Sequence, residues 1–241
     1  MEWFRQYRSR AAEIYGGKVP ESALCVGFYD DDFFAEMAAG IEILNSAAAA
    51  GLKVSFAQTA IKSFLKDGKP FLQFIKSIKP EFFSESCLDG TMHPNLFIGT
   101  ENFSDEELKT LGKGYGIKEI NGVAAALSGQ GITQRHHLIL SNIFTQERHI
   151  KENIAAVYAL RHKYPRHFHL LQSITPALYS FYGTASYARA EKAGLLKYAC
   201  HKIMRIKGFP EFDYPVAQGD VPADKKAAAL LPAALEALKR L

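Results

Sequence analysis

The chain has 241 residues, 48% of them hydrophobic and 22% charged, with a formal net charge of +4. That length and apolar content support one α/β barrel-type domain, or a small pair of domains, around a large core, and exclude a disordered chain. No apolar run approaches the roughly 18 residues of a membrane span, so no membrane partner is expected.

Residues 1–16 read as a helix, with Trp3, Phe4, Tyr7, Ala11 and Ile14 at helical spacing and Gly16-Gly17 as the stop. Leu24–Tyr29 is a short strand of buried type. Phe33 to about Ala50 is helical, with Phe34, Met37, Ile41 and Leu44 on one face and Gly51 at its end. Val54–Ala57 is the next strand, and Pro70–Ile78 a helix closed by Lys79-Pro80. Glu81–Pro94 is an inserted loop with a turn at Asp89-Gly90. Strand Leu96–Thr100 leads to Ser104, which starts a helix as a capping box with Glu107. Gly112-Lys113-Gly114 is a helix stop rather than a phosphate loop. A helix over about Ile117–Ser128 ends at Gly129, and strand His136–Leu140 follows. Thr145 caps a helix running to about His162, then comes strand His167–Ile174. Pro176–Gly183 is a loop, about 186–206 a helix, Gly208–Pro222 a loop, and Ala223–Leu241 the last helix.

Strands separated by helices imply parallel pairing through right-handed crossovers. The visible strands are too few for a closed eight-unit barrel, so the expected fold is an open, partial TIM-type (β/α) barrel with N- and C-terminal helices. Residues 1–207 form the barrel, with helix 1–17 covering its open edge, and residues 208–241 a loop and helix.

Each strand run ends in polar residues. Leu24–Tyr29 ends in Asp30, Asp31 and Asp32; Lys53–Ala57 in Gln58 and Thr59; Leu96–Thr100 in Glu101 and Asn102. His136–Leu140 ends in Ser141 and Asn142, and His167–Ile174 in Thr175. Parallel strands deliver their C-terminal ends to one rim, where small ligands bind in such folds. Three carboxylates in a row exceed what capping the following helix requires, because crowded like charges need a cation or ammonium nearby. Glu101, beside the flat Gly99, faces the same mouth.

Other residue types carry less. Adjacent His136 and His137 point to opposite strand faces, so they are not ligands of one metal. His167 and His169 share a face but lack a third ligand, and core packing is the better account. Tyr179, Tyr182 and Tyr187 read as aromatic core. The cysteines (Cys25, Cys87, Cys200) form neither a disulfide framework nor a CxxC metal site. That usage, and a charged rather than signal-like Met1–Arg10, lead to the expectation of a cytoplasmic protein. The positive charge, much of it in Arg161–Lys207, reads as a solvated face; a nucleic-acid partner is not expected.

Four segments, in order, resemble the later part of a radical S-adenosylmethionine (SAM) enzyme core. They are FYDDDFF (Phe28–Phe34), FIGTENFSDEELKTLGKG (Phe97–Gly114), GITQRHHLILSNIFTQERHIKENI (Gly131–Ile154) and LLQSITPALYSFYGTASY (Leu170–Tyr187). The resemblance implies that Asp30, Asp31, Asp32, Gln58, Glu101, Ser141 and Asn142 ring a SAM site, with the acidic turn toward the SAM amino group. It also implies a 4Fe–4S cluster, but the Cys-x3-Cys-x2-Cys loop that binds it in that family is absent from this sequence. The expectation is therefore the SAM- and substrate-facing wall of such an enzyme, incomplete without a cluster-bearing segment or second polypeptide. A catalytically silent barrel that binds a ligand or partner is the alternative, and a metal-dependent hydrolase a third.

Overall fold

A computed structural model of the protein describes residues 2–84, 95–170, 174, 184–195, 198–202, 213–217 and 222–241. Helix α1 (Glu2–Ile14) precedes strand β1 (Cys25–Phe28), helix α2 (Met37–Ala49) and strand β2 (Lys53–Ala60). A hairpin, β3 (Leu65–Lys66) and β4 (Lys69–Pro70), leads to α3 (Leu72–Ser77). Strand β5 (Asn95–Glu101) is followed by α4 (Asp105–Thr110), α5 (Ile117–Gly129) and β6 (Thr133–Leu138). Helix α6 (Glu147–Lys163), β7 (Phe168–Leu170), α7 (Ala185–Lys192), β8 (Tyr198–Lys202), β9 (Asp213–Ala217) and α8 (Lys225–Lys239) complete the described elements. No helix among the described residues is long and apolar enough to cross a membrane.

Several boundaries differ from the periodicity. Strand β2 runs on to Ala60, so Gln58 and Thr59 lie inside it rather than beyond its end. The helix expected over 186–206 stops at Lys192, because Gly194 takes a left-handed φ of 66°. Tyr198–Lys202 pairs antiparallel with Asp213–Ala217 instead, the second lying in an expected loop. The β3–β4 turn places Asp67 and Gly68 at φ 52° and 70°, the left-handed pair that a two-residue hairpin demands. Trp3 and Ile14, expected on the apolar face of α1, are exposed, whereas Phe4 packs edge-on against Phe28.

Five parallel strands form one sheet in the order β1-β2-β5-β6-β7, which is also their order along the chain. Right-handed crossovers between consecutive neighbours put every connecting helix on the same side. Val54, Ala57, Thr59, Leu96, Ile98, Thr100, Gln134, His136 and Leu138 are accordingly buried. The apolar ones join Leu44, Ile120, Val123, Leu127, Ile150 and Val157 of α2, α5 and α6 in one core, which also takes Ala227, Ala234 and Leu238 of α8. A bulge in the β1–β2 ladder, where Val26 pairs with Val54 but Gly27 with Phe56, turns Phe56 and Gln58 to the opposite, helix-free face. This is the open, partial (β/α) barrel expected, and its inner face is the side opposite the connecting helices among the described residues.

His136 shows how the outer face accepts a polar side chain. It is wholly buried, with Nδ1 accepting from the Thr100 hydroxyl and its ring stacked on Phe168 at 4.5 Å. Its Nε2 donates to Gln134 Oε1 at 3.1 Å, because the Gln134 amide nitrogen is spent on the Ala124 carbonyl and Ser128 hydroxyl. Burial, and then the nearby His169, push the His136 pKa down to about 3. The unfolded chain binds this proton near the ordinary histidine value and the folded chain does not. The stabilisation is therefore complete above about pH 6.5 and lost progressively as pH falls from there toward 3. Chemical denaturation at pH 7 and pH 5 should show a loss of stability about 2 kcal/mol larger in the wild type than in His136→Gln. Equal losses in the two proteins would rule out a neutral buried imidazole.

Candidate functional site

The inner face carries a cleft of about 320 Å³, lined by Phe56, Gln58, Phe97, Ile98, Gly99, Glu101 and His137. Its size is at the lower end of small-molecule sites. Strand register assembles it: Gln58 sits opposite Phe97, Ala60 opposite Gly99, and Gly99 opposite His137. His136 and His137 do point to opposite faces, the first into the core and the second into the cleft.

Glu101 is the most constrained residue of the cleft. It has a left-handed φ of 70° at a bulge where Gly99 pairs with His137 but Glu101 with Leu138. That backbone costs a non-glycine residue on the order of 1–2 kcal/mol. Its carboxylate folds back over Gly99, where an added Cβ would stand 3.0 Å from Oε1. Lys113 Nζ lies 3.4 Å from Oε1 and His137 Nδ1 3.5 Å from Oε2. Lys113 reaches it from a loop bent by Gly112 and Gly114, at φ 68° and 72°. Burial alone would raise the Glu101 pKa, but the His137 contact and the Lys113 charge outweigh it and hold the carboxyl below its ordinary range. Tyr115 fixes the bulge from behind, its hydroxyl donating to the carbonyls of Gly99 (3.2 Å) and Thr100 (3.4 Å). Burial and then the Glu101 charge push this phenol above its usual range, so it stays a donor.

The other strand-end residues have different surroundings. Asp32 binds across to β2 and the turn after it: Oδ1 accepts from Thr59 Oγ1 (2.6 Å) and Ala60 N (3.2 Å), and Oδ2 from Ser63 Oγ (2.6 Å). Asp30 accepts the Asp32 amide at 2.9 Å, while Asp31 is exposed. Gln58 is exposed in the cleft. Ser141 and Asn142 are buried; Asn142 Oδ1 accepts from Phe144 N (2.7 Å), its backbone N–H donates to Thr145 Oγ1 (2.8 Å), and its amide nitrogen donates to Glu107. Of the seven candidates, Gln58 and Glu101 share the cleft. Thr175, Tyr179, Tyr182 and Cys87 lie outside the described residues.

Glu107 is a correction. The expected capping box is not formed: Ser104 is the N-cap of α4 but makes no side-chain cap bond. Glu107 is instead 1% exposed, with the Thr145 hydroxyl donating to it at 3.1 Å and His149 Nδ1 lying 2.9 Å away. Gln146 N–H also donates to that Nδ1 (3.1 Å), and burial holds the Glu107 carboxyl above its ordinary range. Gln146, not Thr145, is the N-cap of α6, because Thr145 is committed to this knot. His169, within β7, packs beside Arg161, and among the described residues no group of three or more His, Cys, Asp or Glu converges to hold a metal.

Phe56 and Tyr115 belong to the site or its support and carried no motif, while Tyr29, Phe97 and Lys113 lie inside the segments that carry the resemblance without being read as site residues. Phe56 and Phe97 were readable as the residues sharing a strand face with Gln58 and Glu101. Lys113 and Tyr115 meet Glu101 only through tertiary folding.

No protein-family model matches the chain, and no curated protein matches it. Among solved structures it is similar to OxsB, a cobalamin-dependent S-adenosylmethionine radical enzyme, with aqua-cobalamin and S-adenosylmethionine bound. The TM-score is 0.59 at 14% identity, over 95% of this chain and 35% of OxsB. Two further similarities have lower scores. The radical SAM methyltransferase TsrM from Kitasatospora setae gives a TM-score of 0.41 at 14% identity, over 64% of this chain and 27% of TsrM. Elp3 from Methanocaldococcus infernus gives 0.45 at 13%, over 80% and 46%. The chain thus spans about a third of the length of OxsB, and the OxsB likeness shows the fold. The partial barrel has a fold of the kind seen in the radical SAM enzyme OxsB.

Proposed function

We propose that the chain forms the SAM- and substrate-facing wall of a radical SAM enzyme core and carries no cluster ligands of its own. The observation behind this reading is Glu101, an anionic carboxylate held in a strained backbone on the uncovered inner face of a partial barrel. A desolvated carboxylate there suits the ammonium of a SAM amino-acid moiety. Glu101 would hold that end of the ligand, with Asp30 and Asp31 just past β1. In such enzymes SAM supplies the radical; this chain supplies orientation and exclusion of water.

The residues present do not fit a 4Fe–4S cluster. Such a cluster needs several thiolates in one loop, and Cys25, Cys87 and Cys200 are far apart in the sequence. The Cys25 thiol donates to the Glu21 carbonyl at 3.3 Å. That mismatch supports either a cluster supplied by another segment or polypeptide, or a second reading, a catalytically silent barrel that keeps its ligand cleft.

Anaerobic reconstitution with iron and sulfide should leave the purified chain without a cluster, while calorimetry detects SAM binding. A stoichiometric cluster, or no SAM binding at all, would overturn the proposal. The two kinds of carboxylate should also separate. Glu101→Gln should weaken SAM binding about tenfold with little change in melting temperature. Asp32→Ala should leave SAM affinity within about twofold but destabilise the fold by about 2–3 kcal/mol, through loss of the bonds to Thr59, Ala60 and Ser63. The reverse pattern would move the ligand to the acidic turn.

A further inference from the structure

Three aromatic rings from adjacent strands line the inner face in a row. Tyr29, just past β1, stacks on Phe56 of β2 with centroids 5.0 Å apart and planes 28° off parallel. Phe56 in turn meets Phe97 of β5 at 4.4 Å. These intervals match the spacing of neighbouring strands, about 4.8 Å, so the sheet itself sets the ladder. Gly27 lies under the first two rings: a Cβ there would be in ordinary van der Waals contact, 3.6 Å from Phe56 Cβ and 3.7 Å from the Tyr29 ring.

The ladder lies outside the core that stabilises the fold. That core is on the opposite side of the sheet, and the Tyr29 residue is 86% exposed. A stacked aromatic surface left in water at the edge of a cleft is a place for another flat ring. Gln58 adds direction: it shares the β2 face with Phe56, sits opposite Phe97 in register, and lines the same cleft. A primary amide presents a donor and an acceptor side by side, the complement of an amide-like edge on a nitrogen heterocycle. Glu101, the carboxylate among the cleft-lining residues, stands at the β5 end with Lys113 and His137 as its partners, and the rings of the ladder carry no charge, so nothing along the ladder selects a charged ring.

We propose that Tyr29, Phe56 and Phe97, with Gln58 at their edge, form a stacking site for a neutral nitrogen heterocycle of nucleobase type belonging to a small substrate. The proposal deepens the reading of this face as a ligand-binding wall and rests on it. A purine ring also occurs in SAM, so the test must separate the two sources.

The test titrates the purified chain calorimetrically with uridine, cytidine, guanosine, adenosine, ribose and SAM, in wild type and in Tyr29→Ala. Tyr29 is so exposed that this variant should melt like the wild type. At least one nucleoside besides adenosine should bind where ribose does not, and Tyr29→Ala should weaken it about tenfold. Saturating SAM should leave nucleoside binding in place. Nucleoside binding with this loss but without any SAM binding would sustain the stacking site and remove the SAM-facing assignment instead. Binding of ribose equal to the nucleosides, no nucleoside binding, or an unchanged affinity in Tyr29→Ala would overturn the proposal. So would binding restricted to adenosine and displaced by SAM, which would make the ladder the adenine seat of the cofactor.

Discussion

Strands that are neighbours in space in the same order as in the chain constrain everything else in this molecule. Each right-handed crossover from one parallel strand to the next deposits its helix on the same side of the sheet. One face becomes dry and the other stays open, so a residue's parity along its strand decides between core and cleft. A doubly wound sheet would cover both faces and concentrate a site in the crevice where strand order reverses. No such reversal occurs among β1, β2, β5, β6 and β7. The cleft is therefore built by mid-strand residues such as Phe56, Gln58 and Phe97 as well as by strand ends.

The polar residues that close each strand split into two groups for a physical reason. A strand that turns directly into a buried loop leaves backbone N–H groups that water cannot reach, and each needs an acceptor. Asn142 serves Phe144, Asn102 serves Ser104 at 2.9 Å, and Asn153 serves Phe103 at 2.7 Å. Asp32 does the same for Ala60 and adds the hydroxyls of Thr59 and Ser63. These side chains hold the connections between sheet and helices together. Among the described residues no loop amide reaches the Glu101 carboxylate, and its neighbours there are Lys113 and His137.

Much of this order was legible beforehand. Apolar runs ending in polar residues located the parallel strands, and helical runs with glycine stops located α2 and α5 to within a few residues. The opposite facing of His136 and His137 followed from alternation alone. What failed was whatever depended on partners distant in sequence. Ser104 and Glu107 have capping-box spacing, yet Asn142, Thr145 and His149, brought in by β6 and α6, offer Glu107 a more complete set of partners. Gln58 looked terminal because it is polar, but pairing with β5 carries β2 on to Ala60. The pairing of β8 with β9 had no local signal, since neither run has a strong period and each is defined by the other.

Glu101 gathers these effects at one atom group. Its left-handed backbone costs energy that no loop bond of its carboxylate repays, so the conformation persists only because its surroundings over-determine it. Tyr115 grips the carbonyls just before the bulge, Ile139 donates its amide to the Glu101 carbonyl at 2.7 Å, and Gly99 vacates the volume the carboxylate fills. Desolvation then opposes the charge, and Lys113 and His137 restore it. A carboxylate kept ionised in a partly buried, rigid position on an otherwise aromatic surface is preorganised toward a cationic partner, because little reorientation remains to be done when one arrives. The aromatic ladder and the carboxylate meet on β5, which carries both Phe97 and Glu101, and the register of β5 with β2 brings Phe56 and Gln58 into the same cleft.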